Sequence, residues 1–109
     1  MKVSELSKAL ELEALALPAP DREVVGGYVG DLLSWVMGRA QADNLWITIM
    51  TNINVLAVAS LSDVSAVVIA EGAEIDDEIV KKAVEQGINL LRSKLSSYEI
   101  AVAAAPFIK

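Results

Sequence analysis

The sequence predicts an α/β fold: one layered domain over residues 1–109, with a largely parallel sheet of about four to five strands flanked by helices. Three observations predict it. Short apolar runs alternate with helix-like segments through most of the chain. The run Ala66-Val67-Val68-Ile69-Ala70 is continuously apolar, as a strand covered on both faces would be. Finally, a hydrophobic fraction of 54% and a mean hydropathy of +0.47 within 109 residues call for buried strands and apolar helices. A chain of this length can close one core without disulfide or metal staples.

The elements follow in order. Ser4 is placed to cap a short helix carrying Leu6, Ala9 and Leu10 on one face, with Glu5 at its positive end. Glu13-Ala14-Leu15-Ala16-Leu17 reads as a short strand, stopped by Pro18-Ala19-Pro20 because proline cannot donate to a ladder. Gly26, Gly27 and Gly30 then link a strand to a helix. Asp31 is expected to be that helix's N-cap, Leu32, Leu33, Val36 and Met37 its apolar stripe, and Gly38 its left-handed stop. Leu45-Trp46-Ile47-Thr48-Ile49-Met50 is a central strand, and Thr51-Asn52 a turn or cap. Ile53 to Leu61 is apolar on several faces, so the helix it forms should be buried on more than one side.

After the 66–70 strand, Gly72 turns the chain and Asp76 caps a helix, with Ile75 and Val80 as a hydrophobic staple. On its solvated face, Asp77 and Lys81 and likewise Glu78 and Lys82 are spaced to pair. Gly87 ends that helix and Ile88-Asn89-Leu90-Leu91 supplies one more strand. Ser96-Ser97-Tyr98-Glu99 is a capping box that opens a last helix reaching Ala105.

Composition excludes several kinds of function. Nine Lys plus Arg against fifteen Asp plus Glu give a net charge of -6, which repels a phosphate backbone, and nucleic acid is not expected as a partner. With no cysteine and no histidine, thiolate chemistry, imidazole bases and the usual zinc sites are absent. No metal and no obligatory cofactor are expected. Residues 44–62 carry no charge, yet Thr48, Thr51, Asn52, Asn54 and Ser60 interrupt them, and a membrane span would not hold two asparagines near its middle. The start of the chain lacks a signal-peptide core, so a cytoplasmic location is expected.

The segment Asp21-Arg22-Glu23-Val24-Val25-Gly26-Gly27-Tyr28-Val29-Gly30-Asp31 resembles the DRTGG domain, a small α/β module. Trp46-Ile47-Thr48, the helix from Asn52 to Leu61, the Val67 to Gly72 stretch and the Ser96 to Glu99 box are similar to it too. Val25 stands where the family name has threonine. The resemblance implies a regulatory or dimer-forming module, often attached to nucleotide-sensing domains or to enzymes such as phosphotransacetylases and pyrophosphatases. It extends more distantly to the N-terminal domain of HPr kinases.

Candidate site residues fall in three groups. Gly26, Gly27 and Gly30 can form a backbone nest for a phosphate or carboxylate, although a turn that needs positive φ explains them better, since the pattern lacks the ending of a phosphate loop and Asp31 would repel an anion. Asp21 and Arg22 can grip a ligand or a second subunit, or pair with each other, while Tyr28 offers a ring face or simply packs. Thr51, Asn52 and Asn54 lie past the carboxyl end of a strand, where open α/β sheets place ligands. Ile53, Leu56, Ala57 and Ser60 are the candidate interface residues. Asp76, Asp77 and Glu78 suit a helix dipole better than a metal.

The leading expectation is therefore a non-catalytic regulatory module, a homodimer that modulates a partner enzyme. A sensor for an adenine nucleotide or another anionic metabolite at the glycine-rich loop is the alternative. A carboxylate-based hydrolase using Asp21 or Asp31, with Ser34 as nucleophile, ranks below both because nothing supplies Ser34 with a base.

Overall fold

The structure, a computed structural model, describes residues 1–108. Helix α1 (Val3–Ala9) leads into strand β1 (Glu13–Ala16), and a crossing segment then leads to β2 (Gly27–Val29). From there strands and helices alternate: α2 (Leu33–Arg39), β3 (Leu45–Thr48), α3 (Asn54–Ser62), β4 (Ala66–Ile69), α4 (Asp77–Glu85), β5 (Leu90–Arg92) and α5 (Ser97–Ala104). The five strands lie in the order β1-β5-β4-β3-β2. β2 to β5 are parallel, and β1 closes the far edge antiparallel to β5, with Glu13 opposite Arg92 and an irregularity between Ala14 and Ala16.

Strand alternation divides the core into two layers. Trp46, Val67, Ile69 and Leu90 point to one face, where Val36 of α2, Val55, Leu56 and Ala59 of α3 and Ile79 and Ala83 of α4 cover them. Leu45, Ile47, Ala66, Val68 and Leu91 point to the other, against Val3 and Leu6 of α1 and Ile100 and Ala104 of α5. Three successive crossovers of one handedness, each stepping to the next strand, place α2, α3 and α4 together. The fully buried Trp46 donates its indole N–H to the Gly30 carbonyl at 2.9 Å.

Several local expectations are corrected. Lys2, with extended backbone angles, occupies the N-cap of α1 and Ser4 lies inside the helix; the Glu5 carboxylate accepts from the Lys2 N–H at 2.8 Å. Asp31 does not cap α2, whose N-cap is Leu32. Its Oδ1 instead accepts from the Thr48 hydroxyl at 2.7 Å and the Ile49 N–H at 2.9 Å, closing the end of β3. Gly38 sits within α2, which stops at the extended Ala40. Of the proposed α2 stripe, Val36 is buried whereas Leu32 and Met37 are exposed.

The glycine loop is partly strand. Val25 N–H donates to the Asp43 carbonyl and Leu45 N–H to the Gly26 carbonyl, and between these two bonds Gly26 takes a left-handed backbone at φ 70. Gly27 then begins β2. Gly30 serves close packing, because a Cβ there would lie 2.8 Å from the Tyr28 ring.

Further along, the last strand is shifted to Leu90–Arg92. Asn89 is buried outside it, accepting from Ala19 N–H at 3.0 Å and donating to the carbonyls of Ala19 at 2.8 Å and Ser65 at 2.9 Å. No ion pair forms between Asp77 and Lys81 or between Glu78 and Lys82, all of them exposed, where solvation and side-chain entropy offset the attraction. The Ser96 box forms as expected: Glu99 N–H donates to Ser96 Oγ at 3.2 Å and Ser96 N–H to the Glu99 carboxylate at 3.1 Å.

Candidate functional site

The topology picks out one place along the carboxyl edge of the sheet. The chain leaving β4 turns to α4 on one face, and the chain leaving the adjacent β5 turns to α5 on the other. Loops that diverge in this way open a crevice outside the strand ends, the usual ligand position of open α/β sheets. A crevice of about 590 Å³ lies there, lined by Gly72 and Glu74 after β4, by Arg92 to Leu95 at and after the end of β5, and by Leu10, Glu11 and Glu13 before and at the start of β1.

Its floor is fixed by hydrogen bonds. Glu71 N–H donates to Leu95 O and Gly72 N–H to Ser93 O, both at 2.8 Å, tying the two diverging loops together. Both Glu71 and Gly72 take left-handed backbone angles, with φ 60. Arg92 forms a two-point contact with Glu13, Nε to Oε1 and Nη2 to Oε2 each 3.0 Å, and its Nη1 reaches the Ala73 carbonyl at 3.3 Å. That hydrogen bonding holds the Glu13 carboxyl below its ordinary value, against partial desolvation and with help from the Arg92 and Lys94 charges. Arg92 is pushed correspondingly up, chiefly by the Glu13 bond. Lys94 enters no ion pair within 4 Å among the described residues, and it shares the crevice with the carboxylates of Glu11, Glu13 and Glu74, so an incoming anion meets one unpaired cation against a net negative lining.

The residues singled out from sequence do not converge on one spot. Asp21 and Arg22 lie near the amino ends of the parallel strands and do not pair with each other. Arg22 Nη2 donates to Asp43 Oδ1 at 3.0 Å, to Asp63 Oδ1 at 2.9 Å and to the Asp63 carbonyl at 2.6 Å, bracing the turns before β3 and β4. Asp21 approaches Lys2 at 3.8 Å. Gly26 and Gly27 open β2 at that same end of the sheet, while Gly30 and Asp31 follow its carboxyl end and Asp31 is committed to Thr48 and Ile49. Tyr28 packs against the α2 and α3 layer.

Thr51 and Asn52 do line a cleft of about 510 Å³, with Ile53, Asp76, Glu78, Ile79 and Lys82. Asn52 Oδ1 accepts from Asn54 N–H at 2.9 Å, and Asn54 is exposed rather than set among apolar neighbours. Of the interface residues, Ile53, Ala57 and Ser60 lie on the open face of α3, whereas Leu56 is buried within the chain's own core. Ser34 is exposed on α2 with no hydrogen-bonded base among the described residues. No group of acidic side chains among them is arranged to hold a metal ion. Glu13, Glu74, Arg92 and Lys94 carry little signal in sequence; the one available cue is a charged residue at the carboxyl end of an apolar strand, where Arg92 follows Leu91.

No family model matches the sequence, and no curated protein matches it. Among solved structures, the chain is similar to the crystal structure of the CBS and DRTGG domains of the regulatory region of Clostridium perfringens pyrophosphatase, complexed with the activator diadenosine tetraphosphate. The TM-score is 0.70 at 14% sequence identity, covering 93% of this chain and 44% of that one. The chain thus spans less than half the length of that structure. The likeness is one of fold, and it supports the DRTGG-like α/β module that the segment from Asp21 to Asp31 resembles. No helix among the described residues is long and apolar enough to cross a membrane.

Proposed function

We propose that the chain is a non-catalytic regulatory module that associates with itself as a homodimer and modulates a partner enzyme. One observation carries this reading: apolar side chains stand open around the free β2 edge of a chain with net charge -6. Val25, Val29, Leu32 and Trp35, all in or next to β2 in sequence, are each at least half exposed, and open apolar side chains at an unpaired edge suit an association surface. The regulatory role of the similar pyrophosphatase region supports the same reading. The chemistry supports it too, since Asp31 is occupied, Ser34 lacks a base and the chain has neither histidine nor cysteine. Light scattering across a concentration series should give twice the chain mass; a monomer at high concentration overturns the reading.

The crevice between the β4 and β5 ends favours a second reading, a sensor for an anionic metabolite such as an adenine nucleotide. Lys94 is open to a phosphate there, and the likeness to a region that binds diadenosine tetraphosphate points to nucleotides as the first probes. Thermal unfolding with ATP, AMP and diadenosine tetraphosphate tests it. A ligand at 100 times its dissociation constant stabilises by about 2.7 kcal/mol. The shift should vanish in Lys94→Glu, and no shift with any of the three would eliminate these ligands.

A further inference from the structure

We infer that the chain dimerises by pairing its β2 edge with the β2 edge of a second copy, antiparallel about a two-fold axis through Tyr28, so that two five-stranded sheets become one. The inference rests on the homodimer reading above and supplies its geometry.

The register follows from the backbone. Leu45 N–H donates to Gly26 and Gly30 N–H donates to Ile47, so Gly26, Tyr28 and Gly30 turn their main-chain groups toward β3. Gly27 and Val29 alternate with them and turn theirs outward along an edge that no other strand among the described residues covers. In an antiparallel pair centred on Tyr28, Gly27 faces Val29 of the second copy and Val29 faces its Gly27. Each such pair exchanges both N–H···O=C bonds, and Tyr28 meets its own mate in the intervening position.

Side chains fit the same arrangement. Tyr28 points to the α2 layer, so Gly27 and Val29 point to the α5 side, where a cleft of about 230 Å³ is lined by Ala101, Ala104, Ala105 and Ile108. The half-exposed Val29 of one copy lies opposite the missing side chain of Gly27 in the other, a knob facing a hole that the two-fold repeats.

Charge and area name the occupant. Residues 24–30 carry no charge, although the chain's net charge is -6, so this stretch is one where two like-charged copies can meet. It also lacks the lysine or proline that ordinarily blunts a free edge. A standard interface covers about 800 Å² on each partner, about one-seventh of the 5802 Å² exposed here. A three-residue strand falls short of that alone. The flanking Leu32 and Trp35 on one face and α5 on the other must contribute, and the two-fold sets α2 against α2 and α5 against α5.

The absence of native cysteine makes the register directly testable. Facing residues at a non-hydrogen-bonded position lie about 4.5 Å apart at Cα, within disulfide reach, whereas diagonal residues lie about 7–8 Å apart, beyond it. Tyr28→Cys should therefore cross-link to dimer under mild oxidation and Val29→Cys should not. In the unmodified chain, the Gly27 and Val29 amides should be protected from hydrogen exchange at dimer-forming concentration and lose protection on dilution; this decides the matter even if Tyr28→Cys folds poorly. Val29→Lys should weaken dimerisation at least tenfold. A dimer that leaves both amides unprotected, or that Ala57→Glu disrupts while Val29→Lys does not, places the contact on α3 and overturns the edge pairing while the homodimer reading stands. A chain that stays monomeric overturns both.

Discussion

Asn89 holds together parts of the chain that no sheet ladder joins. Its amide serves both main-chain groups of Ala19 and the carbonyl of Ser65, so the crossing segment after β1 is fastened to the start of β4 and to the chain entering β5. Asn89→Ala leaves those groups unpaired at a buried site, and a loss of about 2–3 kcal/mol is expected, read from urea unfolding. Glu13 acts at the surface and through protonation. Its folded carboxyl titrates below the ordinary value because Arg92 binds the charged form, so the stabilisation is fully present above the unfolded value near 4.5 and is lost as pH falls through the lowered folded value. Glu13→Gln should flatten that acid limb of urea midpoint against pH, and added salt should shrink the difference between the two proteins.

Among the elements, α5 was readable in advance and β2 was not, for a definite reason. The Ser96 and Glu99 box is complete within four consecutive residues, so local sequence determines it. Ser96→Ala should cost about 1 kcal/mol, measured by thermal or chemical unfolding. The segment from Gly26 to Asp31 depends on partners far along the chain. Gly26 takes its left-handed backbone between hydrogen bonds to Asp43 and Leu45, and Asp31 closes β3 because Thr48 and Ile49 are within its reach. An aspartate before an apolar helix has the same local signature whether it caps the helix or staples a neighbouring strand. Arg22 likewise finds Asp43 and Asp63, two loop residues with left-handed backbone that sequence does not mark as its partners.

At the scale of the whole molecule, apolar runs and their spacing disclosed the parallel α/β sheet and its flanking helices. Strand order was the missing information, and the candidate crevice depends on it. Nothing near Glu13 or Arg92 indicates that residues 79 positions apart will share an edge. The consequence of that edge lies in kinetics. Each parallel crossover joins neighbours in sequence, whereas β1 must close a loop spanning most of the chain before it gains its contacts with β5. Its docking is expected after the rate-limiting step, so Glu13→Gln should speed unfolding and leave the refolding rate nearly unchanged. Stopped-flow measurements across a denaturant series would show one limb displaced; if refolding slowed instead, β1 would belong to the folding nucleus.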